Sequence, residues 1–131
     1  MNERNVEKRI ELLLREYSLL PAQRSLNIFP DGSSCVSTLA FVLGLSDYFL
    51  SPTEAFLLLK KNENNWKRVT SPSAGNVLLT HIPKTRIIAH AGIHVDESRV
   101  FHQRYGGGDV CIDDWTTVSY LYHKPKYYVI V

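Results

Sequence analysis

The sequence predicts an α+β domain in which N-terminal helices pack on an antiparallel sheet of about five strands. Apolar residues recur at helical spacing through the first half. The second half switches to short runs rich in Val, Ile and Tyr, with polar turn residues between them. Helices followed by strands, instead of alternating strand–helix units, is the order of an α+β layout.

The elements follow in order. Val6, Ile10, Leu13, Leu14 and Tyr17 can share one face of a helix over residues 4–19, with Glu3, Glu7, Arg9, Glu11 and Arg15 on the other; Pro21 stops it. A loop follows through Asn27, Pro30, Asp31 and Gly32, all turn-favouring residues. Ser33 and Ser34 are candidate N-caps for a helix over 35–45, whose Val36, Leu39, Ala40, Val42 and Leu43 make it apolar nearly all round and hence buried. A third helix fits 51–60, with Ser51 as cap, Pro52 in the first turn and Glu54 at the positive end of the dipole; Asn62 to Asn65 end it. Strands are expected over 76–82, 86–95, 99–104, 109–112 and 126–131, with Asp96-Glu97-Ser98 as a hairpin turn. Residues 113–123 read equally as a short helix or an irregular crossover.

The chain has 131 residues, 44% hydrophobic and 21% charged, which suits one domain with a real core. A formal net charge of +2 gives no electrostatic case for nucleic acid. No stretch approaches the roughly 20 apolar residues of a membrane span. The charged N-terminus leads into no signal-peptide core, so the expected product is soluble and begins in the cytoplasm. The two cysteines, Cys35 and Cys111, form no C-x-x-C pair, so no zinc knuckle or thioredoxin-type motif is expected, and no metal or cofactor. Cys111 reads as an inert strand thiol.

Cys35 stands at a helix start, where unsatisfied N–H groups and the positive dipole end favour thiolate, the nucleophilic form. The same N–H groups, with Ser34 beside them, could hold an oxyanion. The bland alternative is a buried cysteine acting as a small hydrophobe. His90 shares a strand face with Gly92 and His94; it can take a thiol proton, and Gly92 would leave room for substrate backbone, unless His90 simply faces solvent. His102 lies across the 96–98 turn. Pairing about position 96 sets it nearly opposite His90, where it could accept a hydrogen bond and fix the tautomer. Gln103, the competing orienter, alternates to the other face. His90 and His94 are about 13 Å apart along a strand, too far to share an ion. His81, His94 and His123 read as surface or structural.

These residues resemble the NlpC-type murein endopeptidases, a branch of the papain-like cysteine peptidases, over residues 20–131. The family's nucleophile box, Asp-Cys-Ser-Gly, stands here as Ser34-Cys35-Val36-Ser37, which keeps the cysteine and departs at the Asp and the Gly. Its first strand, Pro-Gly-Asp-Leu-Val, is matched by Ala74-Gly75-Asn76-Val77-Leu78. Its histidine box, His-Val-Gly-Ile-Tyr, is matched by His90-Ala91-Gly92-Ile93-His94, and its later Phe-Ile-His-Ala strand by Val100-Phe101-His102-Gln103. The resemblance implies a papain-like fold with Cys35 as nucleophile, His90 as base and His102 as orienter. It implies amide cleavage in peptidoglycan stem peptides or soluble muropeptides. The missing signal would fit a secretion-system effector, with an inhibitor or immunity protein as partner, a phage or lysis enzyme, or a cytoplasmic hydrolase acting on recycled muropeptides or another amide. A binding domain without activity, or an acyltransferase with the same triad, are the alternatives.

Overall fold

The computed structural model describes residues 3–19, 23, 34–104, 110–121 and 124–130. Helix α1 (Glu3–Ser18) buries Val6, Ile10 and Leu13, the apolar stripe its spacing sets on one face. Arg9, expected on the solvent face, does otherwise. Its guanidinium lies 4.6 Å from the centroid of the Phe41 ring and donates to the carbonyls of Phe41 and Ser46, both at 2.8 Å. It thereby ties α1 to the C-terminal end of the next helix and to the turn that follows it.

Helix α2 (Cys35–Val42) is buried from Val36 onward, as expected of an element apolar on nearly every face. Helix α3 (Pro52–Glu63) starts where the cap predicts, Ser51 Oγ accepting from the Glu54 amide at 3.3 Å. The six strands are β1 (Trp66–Val69), β2 (Val77–His81), β3 (Ile88–His94), β4 (Arg99–Gln103), β5 (Val110–Asp114) and β6 (Lys126–Ile130). They form one antiparallel sheet in the order β1-β6-β2-β3-β4-β5. The class is therefore α+β. Strand β1 is additional to the five expected; with Lys67 and Arg68 inside four residues it has no apolar run, and it sits at a sheet edge, where charge is usual. The uncertain stretch after position 112 resolves into two pieces: β5 continues to Asp114, and helix α4 (Trp115–Leu121) follows.

Alternation gives the sheet two covered faces. Val77, Leu79, Ala91, Ile93, Phe101 and Val110 join the core shared with α1, α2 and α3. On the other face Leu78, Val100 and Tyr127 pack with Val118 of α4, and Trp115 Nε1 donates to Tyr127 Oη at 2.7 Å. Among the described residues, no helix is long and apolar enough to cross a membrane.

The β3–β4 hairpin is closed by Asp96, whose Oδ1 accepts from the amides of Ser98 (2.9 Å) and Arg99 (2.8 Å). Its register pairs Gly92 with His102 and His94 with Val100. Pairing is thus centred on 97, one residue later than expected, and His102 stands opposite Gly92 instead of His90. A Cβ on Gly92 would lie 2.8 Å from Val100 Cγ1, 3.0 Å from the Phe101 carbonyl and 3.2 Å from His102 Cβ. The room that Gly92 leaves is therefore filled by β4, not kept for a substrate. Gly92→Ala should destabilise the fold by about 1–3 kcal/mol, as overpacking against backbone does, measured by urea unfolding. An unchanged midpoint would show that β4 yields without cost.

Candidate active site

The register places a line of polar side chains on the α4 face of the sheet. His90 and His102 are diagonal neighbours across the Gly92–His102 pair. His102 and Asp113 are diagonal neighbours across the His102–Cys111 pair. The line closes into a continuous relay. His90 Nε2 lies 2.7 Å from His102 Nδ1, the rings meeting edge to face at 89°, and His102 Nε2 lies 2.7 Å from Asp113 Oδ2. Both imidazoles are fully buried and Asp113 is partly so. Arg104 forks onto the carboxylate, Nη2 to Oδ1 at 2.8 Å and Nε to Oδ2 at 3.2 Å.

The proton positions follow from the carboxylate end. Asp113 is held down at about 2, first by the Arg104 hydrogen bonds and then by those from His102 and Cys111, so it is ionised and only accepts. His102 must donate from Nε2, which leaves Nδ1 as an acceptor. His90 must then donate from Nε2, which makes Nδ1 its basic nitrogen. Burial and the neighbouring His102 push His90 down to about 3, so at neutral pH it is an uncharged imidazole and a weaker base than an exposed histidine. His102 is also lowered, by burial, against the raising effect of Asp113.

Cys35 is the first residue of α2, with Ser34 in extended N-cap geometry. Its thiol meets backbone hydrogen-bonding groups of Ala91, Val36 and Cys35 itself. Strand β3 pairs with β4 only from Gly92 onward, so Ala91 lies just past that ladder. Ala91 and Cys35 belong to the core on the α2 side of the sheet, whereas the side chain of His90, next along the strand, turns to the α4 face; the thiol meets the backbone of the residue beside His90. The structure thus joins His90 to His102 directly, and brings Cys35 to the residue next to His90.

The expectation of a ready thiolate is not met. Burial raises the Cys35 pKa, and the three backbone hydrogen bonds offset it only in part. A helix terminus contributes about 0.3–1 kcal/mol, whereas desolvating an ion costs several. Burial wins.

Asp113 and Arg104 complete the relay and were not anticipated. Residues 113–123 read from sequence as either a short helix or an irregular crossover, both of which leave Asp113 out of the sheet; continuing the alternation of Val110-Cys111-Ile112 by one residue sets it on the face of His102. Gln103 turns to the helix side, where its Oε1 accepts from Thr38 Oγ1 at 2.8 Å. Ser34 does not cap α2 with its hydroxyl, which is buried and has no hydrogen-bond partner among the described residues. His81 lies 3.8 Å from Glu63. His94 is buried, with Nδ1 3.1 Å from the Asp96 carbonyl and its ring against Tyr127, a structural residue and not a surface one. His123, Ser33 and the loop around Asn27 to Gly32 lie outside the described residues. Cys111 lies on β5, as expected, and donates to Asp113 Oδ2 at 3.4 Å. Neither cysteine is in a disulfide.

No protein-family model matches this chain, and no curated protein matches it.

Nitrogen-15 NMR should find the His90 proton on Nε2 and the lone pair on Nδ1; the opposite tautomer would break the proton assignment. In a Cys111→Ser background, iodoacetamide should label Cys35 slowly at neutral pH. The rate should still climb beyond the roughly 8.5 at which an ordinary thiol is half ionised. A midpoint below that value would mean the thiolate is stabilised after all.

Proposed function

We propose that this chain is a papain-like thiol hydrolase of the NlpC type, cleaving amide bonds in the stem peptides of peptidoglycan or of soluble muropeptides. The observation that supports it best is the His90–His102–Asp113 relay, which orients a neutral, buried imidazole with its basic nitrogen on Nδ1, one residue from the strand backbone that meets the Cys35 thiol. The substrate class comes from the resemblance of the Cys35, His90 and His102 segments to that family.

In this reading the resting pair is a protonated thiol and a neutral imidazole. Cys35 Sγ attacks the amide carbonyl while its proton passes to His90 Nδ1. The oxyanion is taken by backbone N–H groups at the head of α2, with the Ser34 hydroxyl as a further donor. His90 returns the proton to the leaving amine, and a thioester remains. Water then attacks the thioester with His90 again as base, releasing the acid and restoring the thiol. Asp113 and His102 act through His90: they hold its tautomer and stabilise the imidazolium as it forms.

The test is digestion of purified peptidoglycan and soluble muropeptides, with product masses read out. Cys35→Ala should abolish cleavage with the circular dichroism unchanged. His90→Ala should cost about 10²–10⁴-fold in kcat, the usual share of a general base. His102→Ala and Asp113→Asn should cost less, falling on kcat with KM little altered. Full activity in Cys35→Ala would end the mechanism. A wild-type protein that binds muropeptides without cutting them would instead mark a binding domain.

A further inference from the structure

His102 Nε2, Cys111 Sγ and a carboxylate oxygen of Asp113 lie within 4.8 Å of one another. Within that group Nε2 is 2.7 Å and Sγ 3.4 Å from Asp113 Oδ2. Zinc takes imidazole nitrogen, thiolate sulfur and carboxylate oxygen at about 2.0–2.3 Å in tetrahedral array. Those bond lengths call for ligand atoms a little over 3 Å apart, so small rotations of these side chains suffice. Thiolate plus carboxylate also neutralise the ion's charge. Cys111 and Asp113 are partly exposed, whereas His102 is buried beneath them, so the three donors form an outward-facing end to the relay. Arg104 is half exposed and can keep Asp113 Oδ1 while Oδ2 turns to the ion.

We propose that His102, Cys111 and Asp113 form a binding site for zinc, water supplying the fourth ligand, and that zinc bound there switches off the base. The second part rests on the hydrolase reading above. Cys111 loses its thiol proton to solvent as the metal binds. His102 gives Nε2 to the metal, so its one proton moves to Nδ1. Nδ1–H then donates to His90 Nε2, which can no longer carry a proton, and the single proton of His90 moves to Nδ1. Each ring keeps one proton, but the direction of the relay is reversed. His90 now presents an N–H where a lone pair must receive the thiol proton.

The experiment uses Zn²⁺ and Co²⁺ on the full chain, in wild type, Cys111→Ser and Cys35→Ala. Wild type and Cys35→Ala should bind zinc equally, and with cobalt both should show the near-ultraviolet absorption of a thiolate–metal bond. Cys111→Ser should lose that band and bind zinc more than about tenfold more weakly. Nitrogen-15 NMR of Cys35→Ala should show the His90 proton moving from Nε2 to Nδ1 on adding zinc. In muropeptide digestion, zinc should inhibit wild type reversibly by chelator, while Cys111→Ser, scored against its own zinc-free rate, should resist. Loss of metal binding in Cys35→Ala with retention in Cys111→Ser overturns the site, because the ion then sits at the nucleophile. Binding at Cys111 without the tautomer change overturns the switch. A metal-free wild type with no activity refutes the hydrolase reading, while the absorption band and the NMR shift still decide the site.

Discussion

The register of one strand pair holds this structure's chemistry together. Gly92 faces His102 with no side chain between them, and any Cβ there would press on Val100 and on the Phe101 backbone. With β4 seated that closely, His102 becomes the diagonal neighbour of His90 on one side and of Asp113 on the other. A slip of one residue would turn His102 to the helix face and bring Gln103 to its place. Two further contacts support the same register. Asp96 gathers the Ser98 and Arg99 amides at the turn, and Gln103 is fastened to Thr38 of α2 on the opposite face. A polar relay buried in a sheet depends on backbone pairing first, since diagonal side chains meet only when the ladder is right.

The electrostatics are decided by burial. Cys35 and His90 are both largely withdrawn from water, and both are driven towards their neutral forms. The one permanent anion in the line, Asp113, sits at its outer end, where Arg104 and partial exposure make ionisation cheap. Charge is therefore kept at the rim and proton order is kept inside. Removing Arg104 would leave the direction of the relay unchanged, because Asp113 would still accept from His102, but would weaken the hold on the carboxylate.

Much of the fold was legible because it rests on local signals. The stripe from Val6 to Tyr17, the Ser51-Pro52 start of α3 and the Asp96-Glu97-Ser98 turn are each encoded within a few residues. So was the nearness of His90 and His102, which a hairpin of either register allows. The remainder depends on pairings that local pattern does not contain. Trp66 to Val69 is a strand only because β6 offers it a partner. Arg9 reads as a surface charge until the end of α2 is brought alongside. Asp113 joins the relay only when β5 runs two residues beyond its apolar stretch, and its Arg104 clamp arrives from just beyond the end of β4. Thiolate stabilisation at Cys35 was inferred from the helix terminus alone. The opposing term, desolvation, depends on tertiary packing that no helix-start pattern reports.

The same physics explains why a relay of two imidazoles and a carboxylate suits a thiol that rests protonated. An ordinary cysteine–histidine ion pair stores its activation in the ground state and needs only a local field. A protonated thiol needs a base that holds its lone pair towards the sulfur before charge develops, because a freely turning imidazole would present N–H half of the time. Ordering one ring by another transfers the problem to His102, and ordering His102 by Asp113 ends it, since an ionised carboxylate has no proton to offer and only one role to play. In the proposed hydrolase, an imidazolium formed on His90 would lie in line with that carboxylate. Under that proposal, the charge that burial discourages at rest would be met by an anion already in place.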